Sequence, residues 1–249
     1  MNKGHWIIAI DGPSGAGKST VAKRLARQLS YLYVDTGAMY RAIGLKALRD
    51  NPKLDDPSKI SSIARGSTIE LMDSPEGCRV FLDGNEVTQA IRAEPVSQAA
   101  SIVSGISEVR RVLVQAQQQM GASRDVVLEG RDIGTKVFPN ANLKVFLDAS
   151  ERTRAQRRYE ENLRKGVTLT LEETLAEINE RDRRDSERAD SPLVRADDAV
   201  YLDTSGKTIE EVLQDIVTLV ETRQKKEAGS SKHEVRSAKD EWATSNSRC

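Results

Sequence analysis

Short apolar runs alternate with segments of helical periodicity along most of the chain, and this alternation predicts an α/β fold. The runs that predict strands lie at 6–11, 31–35, 125–129, 143–148 and 199–203. Apolar residues spaced three and four apart predict helices at 18–29, 109–120, 151–164, 171–184 and 209–222. Because strands joined by helices favour parallel pairing, we expect a parallel five-stranded sheet flanked by helices.

Two regions depart from this alternation. Residues 67–88 contain short apolar runs separated by "DSPEG" and "DGN", which are typical of turns. We interpret this region as a small antiparallel β insert, with an edge hairpin of the main sheet as the alternative. Residues 224–249 are polar and poor in branched apolar side chains, so they bury too little apolar surface to offset the entropy of ordering. We therefore predict a disordered tail there.

The overall charge is balanced. Lys and Arg together number 38, and Asp and Glu together also number 38, so the formal net charge is zero. With no net positive charge and only 4% aromatic residues, the composition does not support binding to nucleic acid or to an anionic membrane. The apolar run near the N-terminus is too short for a signal peptide, and no window resembles a membrane span. We expect a cytoplasmic protein that binds neither nucleic acid nor membrane.

The stretch "GPSGAGKST" fits the pattern G-x-x-x-x-G-K-[ST] and lies between a predicted strand and a predicted helix. Its glycines let backbone N–H groups converge on phosphate oxygens, and the helix N-terminus adds partial positive charge. Lys18 is placed to contact the β- and γ-phosphates, and the Ser19 hydroxyl to ligate Mg²⁺. The predicted nucleotide-binding residues are Gly12, Pro13, Ser14, Gly15, Ala16, Gly17, Lys18, Ser19 and Thr20. The loop alone leaves hydrolytic NTPases, GTPases, nucleotide kinases and metabolite kinases open.

Two segments place charged residues just after predicted strands. In "VDTGAMYRA", Arg41 is suited to binding a phosphate. The alternative is that Thr36 only caps a helix and Arg41 is a solvated helix residue. In "EGRD", Arg131 and Asp132 follow a strand next to Gly130. Ligands bind at the carboxyl ends of strands in open parallel sheets, so this segment suits a phosphate and a donor-rich base edge. A solvent-facing turn is the alternative.

Two later segments are rich in arginine. Charged residues at i, i+3, i+4 and i+7 share one face of a predicted helix, namely Arg181, Arg184, Asp185 and Arg188. Clustered positive charge there suits phosphoryl transfer, and a salt-bridged surface helix is the alternative. Residues 150–166 are interpreted as a hinged cover over the donor phosphates, with Arg157 as the functional candidate. The alternative is that the other arginines of this segment face water, namely Arg152, Arg154, Arg158 and Arg164.

The combination of motifs narrows the class of reaction. The sequence has no N-K-x-D guanine signature and no apolar run ending in Asp-Glu, so a hydrolytic NTPase or GTPase lacks support. A second group of anion-binding residues indicates an acceptor that itself carries a phosphate. The residues therefore predict phosphoryl transfer to a small molecule. An ATP-bound regulatory module without turnover is the alternative from a different class.

Five motifs, "IDGPSGAGKST", "DTGAMYR", "EGRDIGTKVFP", "KVFLDAS" and "ERDRRDSER", occur in an order that strongly resembles bacterial cytidylate kinases over residues 7–220. The resemblance implies a P-loop nucleoside-monophosphate-kinase fold. It also implies transfer of the γ-phosphoryl group of ATP, with Mg²⁺, to CMP or dCMP, in pyrimidine nucleotide metabolism. Kinases for UMP, AMP or shikimate are the alternatives. We expect a monomer.

The same resemblance implies a division of residues 1–223. A core domain comprises 1–35 and 105–223, and a monophosphate-binding region at 36–104 contains the insert. A short lid is expected at 151–170.

The resemblance further assigns roles to individual residues. Lys18 would hold the donor, while Arg131 and Arg184 would bridge toward the transferring group. Arg188 would fix the acceptor and is counted with these catalytic residues. The implied substrate contacts are Arg41 and Arg131 on the acceptor phosphate, Thr36, Tyr40 and Gly130 near the ligand, Ser101, Arg110, Asp132 and Arg188 on the cytosine, and Arg181 and Asp185 on the sugar.

Two residues depart from the pattern of this family. Thr36 stands where serine is frequent, and it keeps the hydroxyl group. Glu129 stands where aspartate is frequent, so the contacts of that position do not transfer directly to this chain.

Overall fold

The fold is organised around a five-stranded parallel sheet. The computed structural model describes residues 5–51, 53–74, 77–164 and 166–246, apart from the side chains of 73, 77 and 228–246. Its strands are β1 (Ile7–Asp11), β2 (Leu32–Asp35), β3 (Ile69–Ser74), β4 (Gly77–Leu82), β5 (Asn85–Glu86), β6 (Val126–Glu129), β7 (Leu143–Asp148) and β8 (Val200–Asp203). The main sheet has the order β2–β6–β1–β7–β8, and its strands pair in parallel. The predicted parallel sheet is confirmed.

Helices connect and cover these strands. In the described part of the chain they are α1 (Lys18–Leu29), α2 (Thr36–Asp50), α3 (Pro57–Arg65), α4 (Glu94–Val103), α5 (Ser107–Ser123), α6 (Glu151–Arg164), α7 (Leu171–Glu187) and α8 (Ile209–Asn246). A 3₁₀ turn lies at Ala90–Arg92 and a π-helical turn at Ile133–Val137. At the start of α7, Thr170 and Glu173 accept hydrogen bonds from each other's backbone N–H groups. This reciprocal cap begins the helix at a defined residue.

Both faces of the sheet are buried. Ile8 and Ile10 of β1 pack with Leu25 of α1 and Ile216 of α8 on one face. Ala9 lies on the other face, within a cluster formed mainly by α2, α5 and β6. These three residues of β1 are fully buried. Because helices cover both faces, the strand is a continuous apolar run without alternation.

The register of the sheet brings three strand ends together. Glu129, the last residue of β6, lies opposite Ile10 of β1 and opposite Asp35 of β2. The segments that follow these strands therefore meet at one edge of the sheet. They begin with Gly12, Thr36 and Gly130, so the glycine-rich loop and two predicted ligand segments are neighbours.

The predicted insert is a separate antiparallel sheet. Strands β3, β4 and β5 pair only with one another in the described residues, so the alternative of an edge hairpin of the main sheet is wrong. Val80 and Leu82 of β4 pack against Ala38 and Ala42 of α2. The insert is thereby attached to the helix that follows β2.

The C-terminal segment differs from the prediction of a disordered tail. Helix α8 continues to Asn246, while residues 247–249 lie outside the described part of the chain. The segment is rich in Lys, Glu, Ala and Arg, which favour helix. Propagation from the part of α8 that packs on the sheet adds one backbone hydrogen bond for each further residue, without a need for further apolar burial. No helix of the described residues combines the length and the apolar content needed to cross a bilayer.

Gly12→Ala is expected to destabilise the fold. Gly12 has a φ angle of 144°, and a Cβ at this position would lie 1.9 Å from the carbonyl oxygen of Leu147 in β7. Because backbone must shift to admit it, we expect the free energy of unfolding to fall by about 2–4 kcal/mol. Urea denaturation measures this change. Gly206→Ala is the control, since a Cβ there meets no atom within 4 Å, and equal stability of the two variants would contradict the prediction.

Candidate active site

The glycine-rich loop runs from the end of β1 to the start of α1. Gly15 and Gly17 have φ angles of 78° and 91°, which let the loop fold back on itself. Lys18 is 6% exposed, and its Nζ donates a hydrogen bond to the Pro13 carbonyl oxygen at 2.6 Å. The ammonium group is therefore held against the loop backbone, from where a P-loop lysine reaches phosphate oxygens.

The positive charge of Lys18 is opposed by its surroundings. Burial, and then the Arg131 guanidinium, lower the pKa of Lys18 from 10.5 to about 7. The carboxylates of Glu129 and Asp182 act in the opposite direction. The phosphates of a bound nucleotide would add further negative charge and favour the protonated form.

Glu129 links the loop to strand β2. Its carboxylate accepts from the Ser19 hydroxyl at 2.8 Å and from the Tyr33 hydroxyl, and its backbone oxygen accepts from the Thr36 hydroxyl at 2.6 Å. Burial, and then repulsion from Asp35, raise the pKa of Glu129 above its ordinary value. The longer side chain at this position thus has defined partners, which the sequence did not indicate.

The surroundings of Ser19, the predicted Mg²⁺ ligand, fit a hard cation. The Ser19 hydroxyl and the Glu129 carboxylate supply neighbouring oxygens, the donor type that Mg²⁺ prefers. Within the described residues there is no group of three or more His, Cys, Asp or Glu side chains placed to hold a metal.

Arg41 is oriented by Asp35. The Asp35 carboxylate accepts from the Ala38 backbone N–H and from Arg41 Nη2, both at 2.8 Å. Asp35, not Thr36, is therefore the cap of α2, and that alternative interpretation of Thr36 is wrong. The Arg41 side chain is 21% exposed, so its interpretation as a solvated helix residue is also wrong.

A second set of predicted residues surrounds a buried ion pair between Arg110 of α5 and Asp132. Arg110 is 2% exposed, and its guanidinium carbon lies 5.4 Å from the ring centroid of Tyr40. It donates to the Ser104 carbonyl oxygen at 3.3 Å, and Arg188 donates to the Ser104 hydroxyl at 3.2 Å. Residues that are far apart in sequence are thus brought together here. Arg110 is therefore part of this buried set and is not exposed on the surface of α5.

The charged face of α7 is turned toward Arg131. Arg131 Nε donates to Asp185 at 2.9 Å, and Asp185 also lies 3.6 Å from Arg188. Burial alone would raise the pKa of Asp185, but Arg131 and Arg181 hold it below its ordinary value. Burial, and then Arg131, lower the pKa of Arg181 to about 10. The surface-helix alternative is therefore wrong for this face.

A cavity of about 250 Å³ lies between the loop, α4, α6 and α7. The predicted site residues that line it are Ser14, Ser101, Arg181 and Arg184. Arg184 pairs with Glu180 of its own helix at 3.4 Å. Arg158, which was not predicted to act, also lines the cavity and pairs with Glu94 at 3.5 Å, which connects α6 to α4.

Arg157 lies close to the loop. Its guanidinium donates to the Thr204 hydroxyl at 3.0 Å and to the Thr204 carbonyl oxygen at 2.6 Å. The Thr204 hydroxyl in turn donates to the Ala16 carbonyl oxygen at 3.2 Å. Arg154 is buried and Arg158 is half-buried, so the alternative that these arginines face water is wrong for both.

Three further residues contact the predicted site residues and were not predicted from the sequence, namely Ser104, Arg154 and Asp182. Ser104 contacts the two arginines predicted to read the base. Asp182 pairs with Arg154 and accepts from the Ser14 backbone N–H at 3.0 Å. A sequence of alternating charges does not show whether its ion pairs are exposed or buried. Arg154 and Asp182 therefore could not be distinguished from their charged neighbours in the sequence.

Unpartnered polar atoms are concentrated in the predicted acceptor site. In the part of the chain that the structure describes, eight buried side-chain nitrogen or oxygen atoms have no hydrogen-bond partner. Two belong to Gln117 and Thr135. The other six belong to Tyr40, Arg41, Ser101, Arg110, Arg181 and Arg188. Because buried polar groups are nearly always paired, this concentration indicates groups kept available for a ligand.

A glycine-rich loop at the edge of a parallel sheet, next to the predicted acceptor site, is the arrangement of a P-loop phosphotransferase. Residues 8–222 match the family model described as cytidylate kinase. Over 87% of its length the chain is 49% identical to the cytidylate kinase of Bacillus subtilis, covering 96% of that protein. It is 51% identical to the cytidylate kinase of Desulforamulus reducens, again over 87% of this chain and 97% of the relative. The chain belongs to the cytidylate kinase family, which confirms the resemblance of the five motifs.

A solved structure supports the fold alone. An uncharacterized protein from Eubacterium ventriosum superposes with a TM-score of 0.50 over 87% of this chain and 99% of that chain. The sequences are 13% identical. The two proteins therefore share the fold of the backbone.

Lys18→Met is expected to change how stability depends on pH. The pKa of Lys18 is about 7 in the folded protein against 10.5 ordinarily, so between these values the unfolded chain binds more protons. The free energy of unfolding contributed by Lys18 therefore rises with pH in this window. Urea denaturation from about pH 7 to about pH 9 should show the parent gaining stability relative to Lys18→Met. A difference that stays constant would contradict the lowered pKa.

Proposed function

We propose that the protein transfers the γ-phosphoryl group of ATP to CMP or dCMP, giving ADP and CDP or dCDP. The observation that carries the proposal is the group of six unpartnered polar atoms in the predicted acceptor residues. Ser101 and Arg181 from this group line the same cavity as Ser14 of the loop. Donors for a phosphorylated acceptor therefore adjoin the loop that would hold the triphosphate.

On the donor side, the backbone N–H groups of the loop and the N-terminus of α1 would bind the phosphates of ATP. Lys18 would place its charge on the β- and γ-oxygens, and nucleotide binding would keep it protonated. Ser19, supported by Glu129, would hold Mg²⁺. That ion would neutralise charge on the β- and γ-phosphates.

On the acceptor side, the guanidinium groups of Arg41 and Arg131 would bind the phosphate of the monophosphate. Each is already oriented by a carboxylate, Asp35 for Arg41 and Asp185 for Arg131. One guanidinium group can donate two parallel hydrogen bonds to two oxygens of a phosphate. Because the carboxylates already orient both side chains, less conformational freedom is lost on binding. Arg181 and Asp185 would contact the sugar.

The base would be read by the buried set around Arg110. Cytosine carries an exocyclic amino donor where uracil carries an oxygen acceptor. The Asp132 carboxylate is an acceptor that suits this amino group, and the unpartnered atoms of Ser101, Arg110 and Arg188 suit the acceptors of the ring. The set therefore favours a pyrimidine with an exocyclic amine.

The reaction would need no general base. The second pKa of a phosphate monoester is about 6, so the acceptor is largely dianionic near neutral pH. Catalysis would consist of positioning and charge neutralisation, with Arg131 and Arg184 toward the transferring group and Arg188 fixing the acceptor. Helices α6 and α7, which contact the loop at Ser14, would cover the transferring phosphate, exclude water and limit hydrolysis of ATP. We also propose that the protein acts in the cytoplasm as a monomer, since every side chain that the reaction requires belongs to one chain.

The proposed reaction predicts a distinct acceptor profile. ADP release would be measured with ATP and Mg²⁺ in the presence of CMP, dCMP, UMP, AMP, GMP or shikimate, each offered separately. We expect fast turnover with CMP and dCMP and weak turnover with the others. If CMP is inert and another acceptor works, phosphoryl transfer stands and the assignment of Ser101, Arg110 and Asp132 is wrong. ADP release without any acceptor would indicate a hydrolase.

Lys18→Ala is expected to lower kcat/KM for CMP-dependent ADP release by about two to three orders of magnitude. The reason is the loss of a charge that acts on the transferring group in a buried site. Lys23→Ala, at an exposed position of the same helix, is the matched control and should behave like the parent. Activity of Lys18→Ala within a few-fold of the parent would refute the donor assignment.

A further inference from the structure

Helices α6 and α7 hold the donor loop at the backbone of one residue, Ser14. The Ser14 backbone N–H donates to Asp182 Oδ1 at 3.0 Å, and the Ser14 carbonyl oxygen accepts from Arg154 Nη1 at 3.0 Å. The same Arg154 nitrogen also forms an ion pair with Asp182 Oδ2. We call these groups, the backbone N–H and C=O of Ser14 with the side chains of Arg154 and Asp182, the Ser14 clamp.

The clamp is largely shielded from solvent. The side chains of Arg154 and Asp182 are 7% and 16% exposed, so water competes little for their hydrogen bonds. Arg154 Nε also donates to the Ala149 carbonyl oxygen at 3.0 Å, which fixes the guanidinium plane. A Cβ at Gly15 would lie 2.9 Å from both Cβ and the carbonyl oxygen of Arg154, so the loop and α6 are in direct contact.

The clamp also connects the two substrate sites. Asp182 lies on α7 between Arg181 and Asp185, which face the acceptor side. Its carboxylate is close enough to Lys18 to favour the charged form of that lysine. The Asp182 carboxylate on α7 thus contacts the loop backbone directly, so a movement of α7 would displace the loop.

We propose that Arg154 and Asp182 are positioning residues that hold the donor loop in its ATP-binding form and join it to the acceptor-bearing helix α7. Neither residue is assigned a contact with substrate. The coupling to CMP rests on the proposed function. The positioning of the loop by Arg154 and Asp182 does not depend on which acceptor the protein uses. Loss of either side chain is expected to weaken ATP binding and to break the communication between the two sites.

The test is isothermal titration calorimetry with a non-hydrolysable ATP analogue and Mg²⁺, first without acceptor and then with saturating CMP. In the parent we expect CMP to tighten analogue binding several-fold. Asp182→Ala and Arg154→Met should each weaken analogue binding by about tenfold and remove most of the CMP effect. Because the two residues act as one unit, the double variant should bind the analogue about as weakly as either single variant.

Arg183→Met is the matched control. Arg183 lies next to Asp182 on α7 but pairs with Glu180 and Glu187 of the same helix at 3.0 and 2.6 Å. It should bind the analogue like the parent. Asp182→Asn keeps an oxygen acceptor for the Ser14 N–H and loses the ion pair, so an intermediate effect is expected. This near-isosteric variant decides the question if Asp182→Ala does not fold, which thermal denaturation would show.

The outcomes separate this proposal from the proposed function. Parent-like analogue binding by Asp182→Ala or Asp182→Asn, or an equal loss in Arg183→Met, would overturn the role of the clamp even if CMP turnover is normal. If CMP neither binds nor supports ADP release in the parent, the proposed function fails. The titration with the ATP analogue in the absence of CMP then still decides whether the clamp positions the loop.

Discussion

The accumulation of positive charge in a buried cleft is the constraint on which the rest of the site depends. Burial together with Arg131 lowers the pKa of both Lys18 and Arg181. Carboxylates offset this repulsion from several sides, Glu129 toward Lys18 and Asp185 toward Arg131. Without them, the cost of desolvating neighbouring cations would favour a different fold of the cleft or the loss of their protons. The buried acids therefore make the cationic site compatible with a stable fold.

The two halves of the cleft are supported by different parts of the fold. The donor half sits on the carboxyl ends of β1 and β6, where rigid strands determine the path of the loop. The acceptor half is built from helices, with Arg110 on α5 and the charged face of α7 packed around Asp132 and Arg131. Helices can shift relative to a sheet more readily than paired strands can separate. The contact between α7 and the loop is therefore the place where a rigid half meets a more adjustable one.

Local sequence predicted the donor half well and the acceptor half only in part. A P-loop is specified by residues adjacent in sequence, so the loop, its strand and its helix were all predictable. Arg110 and Ser101 depend on the packing of separate helices, and only the family resemblance pointed to them. Arg154 and Asp182 were missed because charge patterns do not report burial. Helix α8 continues beyond the helix predicted at 209–222, because helix propagation depends on propensity as well as on apolar burial.

The contact between Tyr33 and Glu129 has an evolutionary consequence. Burial, and then Glu129, raise the pKa of Tyr33 well above its ordinary value, so the phenol remains a donor at neutral pH. Its hydroxyl reaches the glutamate, whose other oxygen accepts from Ser19. An aspartate at position 129 would be one methylene shorter and could not span the same distance. We therefore expect the effects of substitutions at positions 33 and 129 to depend on each other, so that each position restricts which residues the other accepts.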